Sequence, residues 1–501
     1  MPEQQHQAGY VFGPRETRGV ILGLRGGQLV ALSVSVAVGF TALHALSGVW
    51  GPLAALAVLG AGAAATWMPI GHLTLEQWVP TTTGYLVRAL AGGTRFRARE
   101  HRIGQHAGQP PREEQPWSLR DFRILSTSPE PAPTAEIGVV KNRRRSTYVG
   151  VLEVFSHSSA LLGRGELDQR VGLWASVLAG TARHTSPIRR VQWLARSIPE
   201  DREALMRHLE DCKATGADDE AVESYRELLQ LANSAAQRHE SYLAVELDPR
   251  RAWRHIRIAG QGDVDRGASV LMAQQLRDVA DWLRAAELGV GEPLSPRELA
   301  GCIRYAYDPT RRLLDGIRRS QGGPEGPDPR RAWPTSSKEQ WASYRSGHWW
   351  HAVYYVEEWP RVEVSPDFLR PLLLSDSRHL RTVSMVLEPV PPLKASQEIR
   401  RARVADVTEE KMRDRVGQIA SARREQEQKH VERTEGELAA GHAAVRFAGY
   451  VGVTATSAGD LEEACAEVER DAVASRLMLD RVFGDQEFAF TCLLPICRGL
   501  P

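Results

Sequence analysis

Apolar and polar positions are spread unevenly along this chain. Asp, Glu, Lys and Arg are absent from Gly26 to Leu75, although charged residues make up 25% of the whole. The turn-like Ser47-Gly48-Val49-Trp50-Gly51-Pro52 divides that run into Gln28–Leu46 and Leu53–Ile70, each close to the ~20 residues that cross a bilayer as a helix. Backbone amides in hydrocarbon must bond within their own segment, so the pattern predicts a two-helix transmembrane hairpin. Trp50 and Trp67 fall where an aromatic belt would sit, and Gly60, Ala61, Gly62 and Ala63 would let the two helices approach closely. Arg15, Arg18 and Arg25 precede the first span, while Arg88, Arg95, Arg97, Arg99 and Arg102 follow the second. The connecting turn has no Lys or Arg, which predicts both termini on the cytoplasmic side of the inner membrane. A cleaved signal at Ala45-Leu46-Ser47 and a buried soluble hairpin are the competing readings.

Beyond the hairpin, Leu73–Leu90 has helical spacing of Leu75, Trp78, Val79, Leu86 and Leu90, with Pro80 as a break, and suits a membrane surface. Period-two and helical patterns then alternate. Strands are predicted at Tyr148–Phe155, Ile188–Leu194 and Ser241–Leu247, and helices at Leu167–Ala182, Glu220–His239 and Gly267–Ala286. Ser295-Pro296-Arg297-Glu298 is a capping box. Further strands are expected at His351–Val356, Val362–Val364, Leu380–Leu387 and Ala444–Thr454. Helices are expected from Ser365-Pro366 through Leu374 and over Leu461–Leu477. Gly104–Pro133 and Gly322–Pro334 have linker composition. The implied fold is α+β, with βαβ elements in its cytoplasmic modules. Residues 1–26 form a cytoplasmic leader, 27–71 the hairpin, 72–135 a membrane-proximal helix and Pro-rich linker, and 136–321 a first α/β module. A linker at 322–342 then leads to a second module at 343–501, which carries a long charged helix at 407–438.

Composition narrows the function. Sixty-three Lys and Arg against 62 Asp and Glu leave a net charge of +1, so the chain is no general nucleic-acid coater. Five cysteines make no disulfide framework. None of the six lysines follows a glycine, which removes the P-loop and predicts no ATP hydrolysis by this chain. His348-Trp349-Trp350-His351 puts its two imidazoles on opposite faces of a strand, and His239-Glu240 lacks the second His of a zinc protease. No Gly-x-Ser-x-Gly elbow occurs, so no catalytic residue, cofactor or metal site is assigned. Asn142-Arg143-Arg144-Arg145 is a basic turn that could meet phosphate, lipid headgroups or an acidic partner.

Scattered motifs add a resemblance. Tyr10-Val11-Phe12-Gly13-Pro14, Arg18-Gly19-Val20, Gly26-Gly27-Gln28-Leu29, Met68-Pro69-Ile70-Gly71 and Leu75-Glu76-Gln77-Trp78 mark the amino-terminal part. Gly150–Phe155, Trp174–Leu178, Val191-Gln192-Trp193, Arg304, Asp308-Pro309, Glu358-Trp359-Pro360-Arg361 and Arg381-Thr382 follow. Glu437-Leu438, Gly441-His442, Gln486, Leu494-Pro495 and Arg498-Gly499-Leu500 complete the set. Together they resemble an actinobacterial PrgI-like membrane-protein family, with Cys497 standing where Gly would be expected. That family is in turn similar to the hairpin subunit of type IV secretion fused to the amino-terminal domain of the conjugative ATPase (CagE/TrbE/VirB type).

The resemblance implies that the motor is supplied by a separate P-loop ATPase, and that the chain is a membrane-anchored docking component of a secretion or conjugation complex. Homo-oligomerisation and contact with other secretion subunits go with it. The carboxyl-terminal unit would then dock the motor through Phe488, Phe490, Leu493, Leu494, Ile496 and Arg498, unless those residues close the module's own core. A subunit of the type VII membrane complex and a membrane-bound enzyme are the alternatives.

Overall fold

The fold is described from a computed structural model over residues 26–67, 73–98, 114–127, 136–155, 163–199, 218–232, 237–320, 326–374, 379–398 and 443–500, with isolated positions between. The leader arginines Arg15, Arg18 and Arg25, the charged helix at 407–438 and most of the linker at 104–133 lie outside these residues.

The amino-terminal part holds helices α1 (Gly26–Ala45) and α2 (Trp50–Trp67), a two-residue ladder of β1 (Pro69–Ile70) with β2 (Leu73–Thr74), and α3 (Leu75–Leu90). α1 and α2 pack along each other. A Cβ on Gly62 would come within 2.1 Å of Ser35 Oγ, so this glycine sets how close they lie. Gln28 Nε2 donates to the Thr66 carbonyl at 3.0 Å and closes the base of the pair. Among the described residues only α1, over Gly27–Ala45, is both long and apolar enough to cross a membrane; the apolar part of α2 runs from Trp50 to Ala64. α3 is continuous through Pro80 rather than broken there.

The remaining strands are β3 (Arg95–Arg97), β4 (Phe122–Thr127), β5 (Ile137–Asn142), β6 (Thr147–Phe155), β7 (Ile188–Pro199), β8 (Gln237–Leu247), β9 (Gly289–Pro293), β10 (Ser336–Glu339), β11 (Tyr344–Ser346), β12 (Trp349–Glu358), β13 (Leu380–Val390), β14 (Ala444–Ala455) and β15 (Met478–Arg481). They form one 13-stranded sheet in the order β3-β10-β11-β12-β14-β13-β7-β8-β6-β5-β4, with β15 also on β12 and β9 also on β6. The helices are α4 (Arg164–Thr181), α5 (Asp219–Ala232), α6 (Trp253–Ala259), α7 (Val264–Ala285), α8 (Pro296–Tyr307), α9 (Thr310–Ser320), α10 (Arg370–Leu373), α11 (Ala458–Ala474) and α12 (Gln486–Thr491).

Mixed helix and sheet is as the sequence implies, but the connectivity differs in two ways. The expected division at 322–342 is no break in the sheet, because β7 and β13 pair directly, Trp193 opposite Met385. Nor are adjacent strands parallel, as simple βαβ units require. β6, α4 and β7 make a split βαβ, with antiparallel β8 inserted between the two parallel strands. β14, α11 and β15 repeat the device around β12.

The same path is in fact traced twice. β4-β5-β6-β8-β7 in the first half and β10-β11-β12-β14-β13 in the second run inward to the β7·β13 seam in mirrored order. The two halves are therefore related by a pseudo-twofold axis near the Trp193–Met385 pair.

Smaller departures have local causes. The segment 114–127, expected as linker, buries Leu119, Phe122 and Ile124, and β4 is part of the sheet. The helix expected at Glu220–His239 ends at Ala232, and Gln237–His239 already pair with β7. Val362–Val364 is not a strand, and the helix expected after Ser365-Pro366 is confined to Arg370–Leu373. The capping box is as expected: Glu298 N–H donates to Ser295 Oγ at 3.3 Å, and Ser295 N–H to Glu298 Oε2 at 2.8 Å.

Strand alternation divides the core between the two sheet faces. On one face α7 covers Val139, Leu152, Val191, Leu243 and Val245, while α11 covers Ala352, Tyr354, Val451 and Val453. On the other, α8, α12 and the carboxyl-terminal tail cover both halves in a single cluster.

Candidate functional site: the carboxyl-terminal tail and the basic turn

The tail face explains where the expected docking residues went. Phe490, Leu493, Leu494 and Ile496 are buried in the cluster that includes Val353, Tyr450, Leu194 and Ala244, so they offer a partner no surface. The alternative reading, core closure, holds for these four. Phe488 and Arg498 alone are partly exposed.

Irregular backbone can be buried only if its polar groups find partners. β7 supplies them. The Gln192 side-chain amide, fully buried, donates to the carbonyls of Cys492 at 3.0 Å and Leu494 at 2.9 Å, and its Oε1 accepts from Cys497 N–H at 2.7 Å. Ser384, across the seam on β13, donates to the same Cys492 carbonyl at 2.8 Å. Arg190, two residues before Gln192 on the same face, donates to the Leu500 carbonyl at 3.0 Å and to Glu388 Oε2 at 2.7 Å. Tyr450 hydroxyl donates to the Gly499 carbonyl at 2.8 Å.

The tail thus starts on the second half and ends strapped across the first. Cys492 and Cys497 are buried thiols; burial lifts the first to about 12 and the second well above its ordinary value, which holds both protonated.

Where the tail ends, a cavity of about 490 Å³ opens beside the basic turn. Arg144 and Arg145 line it from the β5–β6 turn, Phe488, Arg498 and Leu500 from the tail, and Asp121 and Glu246 from the first half. Asn142 shapes the turn, its Oδ1 accepting from the amides of Arg144 at 3.1 Å and Arg145 at 3.2 Å. Arg498 is fixed, donating to the Ser118 carbonyl at 2.7 Å and lying 4.1 Å over the Phe488 ring. Burial, with neighbouring Arg190, lowers the Arg145 pKa, and burial lowers that of Arg498. The cavity is therefore a basic pocket with an aromatic wall.

On the opposite face a groove of about 1050 Å³ separates the α4/α7 layer from the α10 region, floored by Trp193, Val383, Met385 and Leu387.

Of the described arginines expected to set the topology, Arg88 has a structural post. Arg88, on α3, donates to the Gly484 carbonyl and pairs with Asp485 at 3.2 Å and Glu339 at 3.5 Å. Arg95 and Arg97 are exposed on β3.

The histidine pair of the Trp-rich strand does not converge. His348 is exposed in a turn, whereas His351 is fully buried between Ser346 Oγ at 2.8 Å and Thr454 Oγ1 at 2.9 Å. Ser346 hydroxyl donates to the Tyr307 carbonyl, so its oxygen accepts from His351 Nε2–H, and Nδ1 accepts from Thr454. Glu240 is likewise occupied, by Tyr242 hydroxyl at 2.9 Å and by Arg312. Among the described residues no three His, Cys, Asp or Glu side chains gather as a metal site.

Gln192 was quoted in the sequence only as part of Val191-Gln192-Trp193. Its signal was available: Arg190 and Gln192 alternate with the apolar Val191 and Trp193 along one strand. Comparison with known proteins finds no matching family model and no matching curated protein.

Proposed function

We propose that the chain is an inner-membrane-anchored docking component of a type IV secretion or conjugation-like transporter, to which a separate P-loop ATPase binds. In this reading α1 and α2 both enter the bilayer as a hairpin with the termini in the cytoplasm. The observation that supports it is the exposed apolar surface of the helix pair, including Val30, Val34, Phe40, Leu53 and Leu56, on a chain whose body has its own closed core.

Docking in this reading uses the pocket at the tail's end, since Phe490, Leu493, Leu494 and Ile496 are buried. Arg144, Arg145 and Arg498 with Phe488 offer a charged, aromatic-lined surface of the kind that anchors protein interfaces.

Two measurements test this. A membrane-impermeant maleimide should label a cysteine at Val49 in intact cells, and one at Arg144 only after lysis; labelling at position 144 in intact cells would sink the topology. Arg144→Glu with Arg145→Glu should abolish co-purification of the P-loop ATPase that the unaltered chain recovers from its own host membranes, while the body keeps its protease resistance. Full recovery of the ATPase with that variant would remove the pocket from the interface.

A further inference from the structure

α3 has two faces with opposite neighbours. Its inner face is docked on the second half: Trp78 stacks on Trp341 at 5.9 Å and meets Phe483 at 5.7 Å, and Tyr85 packs edge-on to Trp341 at 5.2 Å. Arg88 adds its bonds to Gly484, Asp485 and Glu339. The helix then turns at Gly92, which holds φ at +71°, into β3, and β3 pairs with β10 at the sheet edge. Nothing about this attachment is loose.

The outer face is the reverse. Val79, Leu86, Val87 and Leu90 recur at helical spacing on the side away from Trp78 and Tyr85, and they are exposed at 50%, 56%, 66% and 88%. A surface helix with one face already buried has no need of a second apolar stripe unless that stripe has its own neighbour.

Position identifies the neighbour. α1 has 20 residues, ~30 Å at a 1.5 Å rise, so Gly26 and Trp67 lie at the same end of the pair. α3 begins at Leu75, and the connection between is folded back on itself as β1 and β2. The helix therefore starts at the level where the apolar pair ends. Arg95 and Arg97 are exposed just beyond it, with the sign that suits an anionic surface.

We infer that α3 lies in the interface of an anionic bilayer, with Val79, Leu86, Val87 and Leu90 among the acyl chains. It is a two-sided bracket: one face holds lipid, the other holds the second half of the sheet, so the body rests against the membrane in a fixed orientation. The inference rests on the membrane reading of α1 and is separable from it by experiment.

The four described cysteines are buried, so in a Cys212→Ser background a nitroxide can be placed at position 87 of the full chain, and a second one, in a separate preparation, at position 36 of α1. The chain is reconstituted in vesicles of phosphatidylcholine and phosphatidylglycerol, and each label's access to oxygen and to a water-soluble nickel chelate is compared. The expected result is oxygen-dominated access at both positions, with the signal at 87 moving to the nickel-accessible side in Leu86→Glu/Leu90→Glu while position 36 is unchanged. Nickel-dominated access at 87 with oxygen-dominated access at 36 overturns the bracket and leaves the anchor. Nickel-dominated access at both overturns the membrane reading as well. Strong spin–spin broadening between labels at 87 would identify a second copy of this chain as the occupant and also overturn the proposal.

Discussion

The two half-sheets follow one path but differ in what is attached to them. The second half carries the amino-terminal attachment: β3 extends its edge at β10, and α3 is fixed to it through Trp341, Phe483 and Asp485. The first half has no such attachment among the described residues. What it receives is the other half's tail, tied down by Gln192 and Arg190. A pseudo-symmetric body thereby becomes asymmetric, with α3 mounted on one half and the tail's end and the basic turn on the other. The crossing tail also makes the halves interdependent, although each has its own helix layer.

The largest break in this comparison is truncation after Asp485. It removes Phe490, Leu493, Leu494 and Ile496 from the shared core, and each such loss costs about 2–5 kcal/mol. The expected outcome is a body that is cleaved rapidly under limited proteolysis in both halves while α1 and α2 stay in the membrane fraction. Cleavage confined to the second half would show that the tail does not couple them.

Gln192→Leu is the next step down. It keeps the volume but leaves the Cys497 amide without an acceptor in a dry core, at about 1–3 kcal/mol, while the Cys492 and Leu494 carbonyls each lose one of two donors and keep Ser384 Oγ and the Ile496 amide. Urea unfolding should shift by about 1–3 kcal/mol, and an unchanged midpoint would show that Gln192 does not hold the tail.

Much of this fold is legible in the sequence, and the missing part has a common cause. The charge-free run gives α1 and α2, period-two alternation gives the long strands β6, β7, β13 and β14, and Ser295 with Glu298 gives the start of α8. What local pattern cannot carry is pairing. A strand-helix-strand reading of Tyr148–Leu194 is the same whether the two strands are neighbours or have β8 between them. The Gly- and Pro-rich stretch at 322–334 looks like a linker by composition, yet Ala332 and Trp333 are buried in the tail-face core.

The candidate site shows the same limit. An apolar run such as Phe488–Ile496 reads equally as interface or core, and the deciding observation is who bonds its backbone. α1 satisfies its own amides and can leave apolar side chains outside; the tail cannot, and depends on residues some 300 positions away in sequence. Several residues quoted for the family resemblance, among them Gln192, Leu494 and Leu500, are the ones that make this crossing.

Arg88→Met tests the attachment of the second half. Glu339 is buried and, mainly through burial, its pKa is raised to about 7 even with Arg88 beside it. Removing the guanidinium leaves Glu339 and Asp485 without that counter-charge, so the variant should lose about 1–3 kcal/mol at pH 8 and less at pH 5, where Glu339 is protonated in the fold. Amide exchange should rise in β10 and α3 and stay unchanged in β5 and β6. Equal loosening of the first half would contradict the asymmetric mounting.

The smallest expected effect separates the halves by acid. His351 on β12 is pushed down to about 3 by burial, so the fold holds it neutral while the unfolded chain takes up a proton near its ordinary 6.5. Stability from this group is therefore complete above about pH 6.5 and is lost as pH falls toward 3, by at most ~1.4 kcal/mol per unit. Glu246 on β8 runs the other way. Burial raises its pKa, so the fold keeps the proton longer than the unfolded chain does, and its contribution falls as pH rises through the raised value. Between pH 6.5 and 5 the strands around His351 should loosen, seen as faster amide exchange in β12 and β14 than in β6; Glu339 on β10 opposes that loss, and His239 on β8, lowered by burial, has the same sign as His351. His351→Gln, which removes the titrating group, should flatten the acid dependence of β12 and β14 alone. If acid loosens both halves equally and the variant changes neither, the tail couples them too tightly for either to respond by itself.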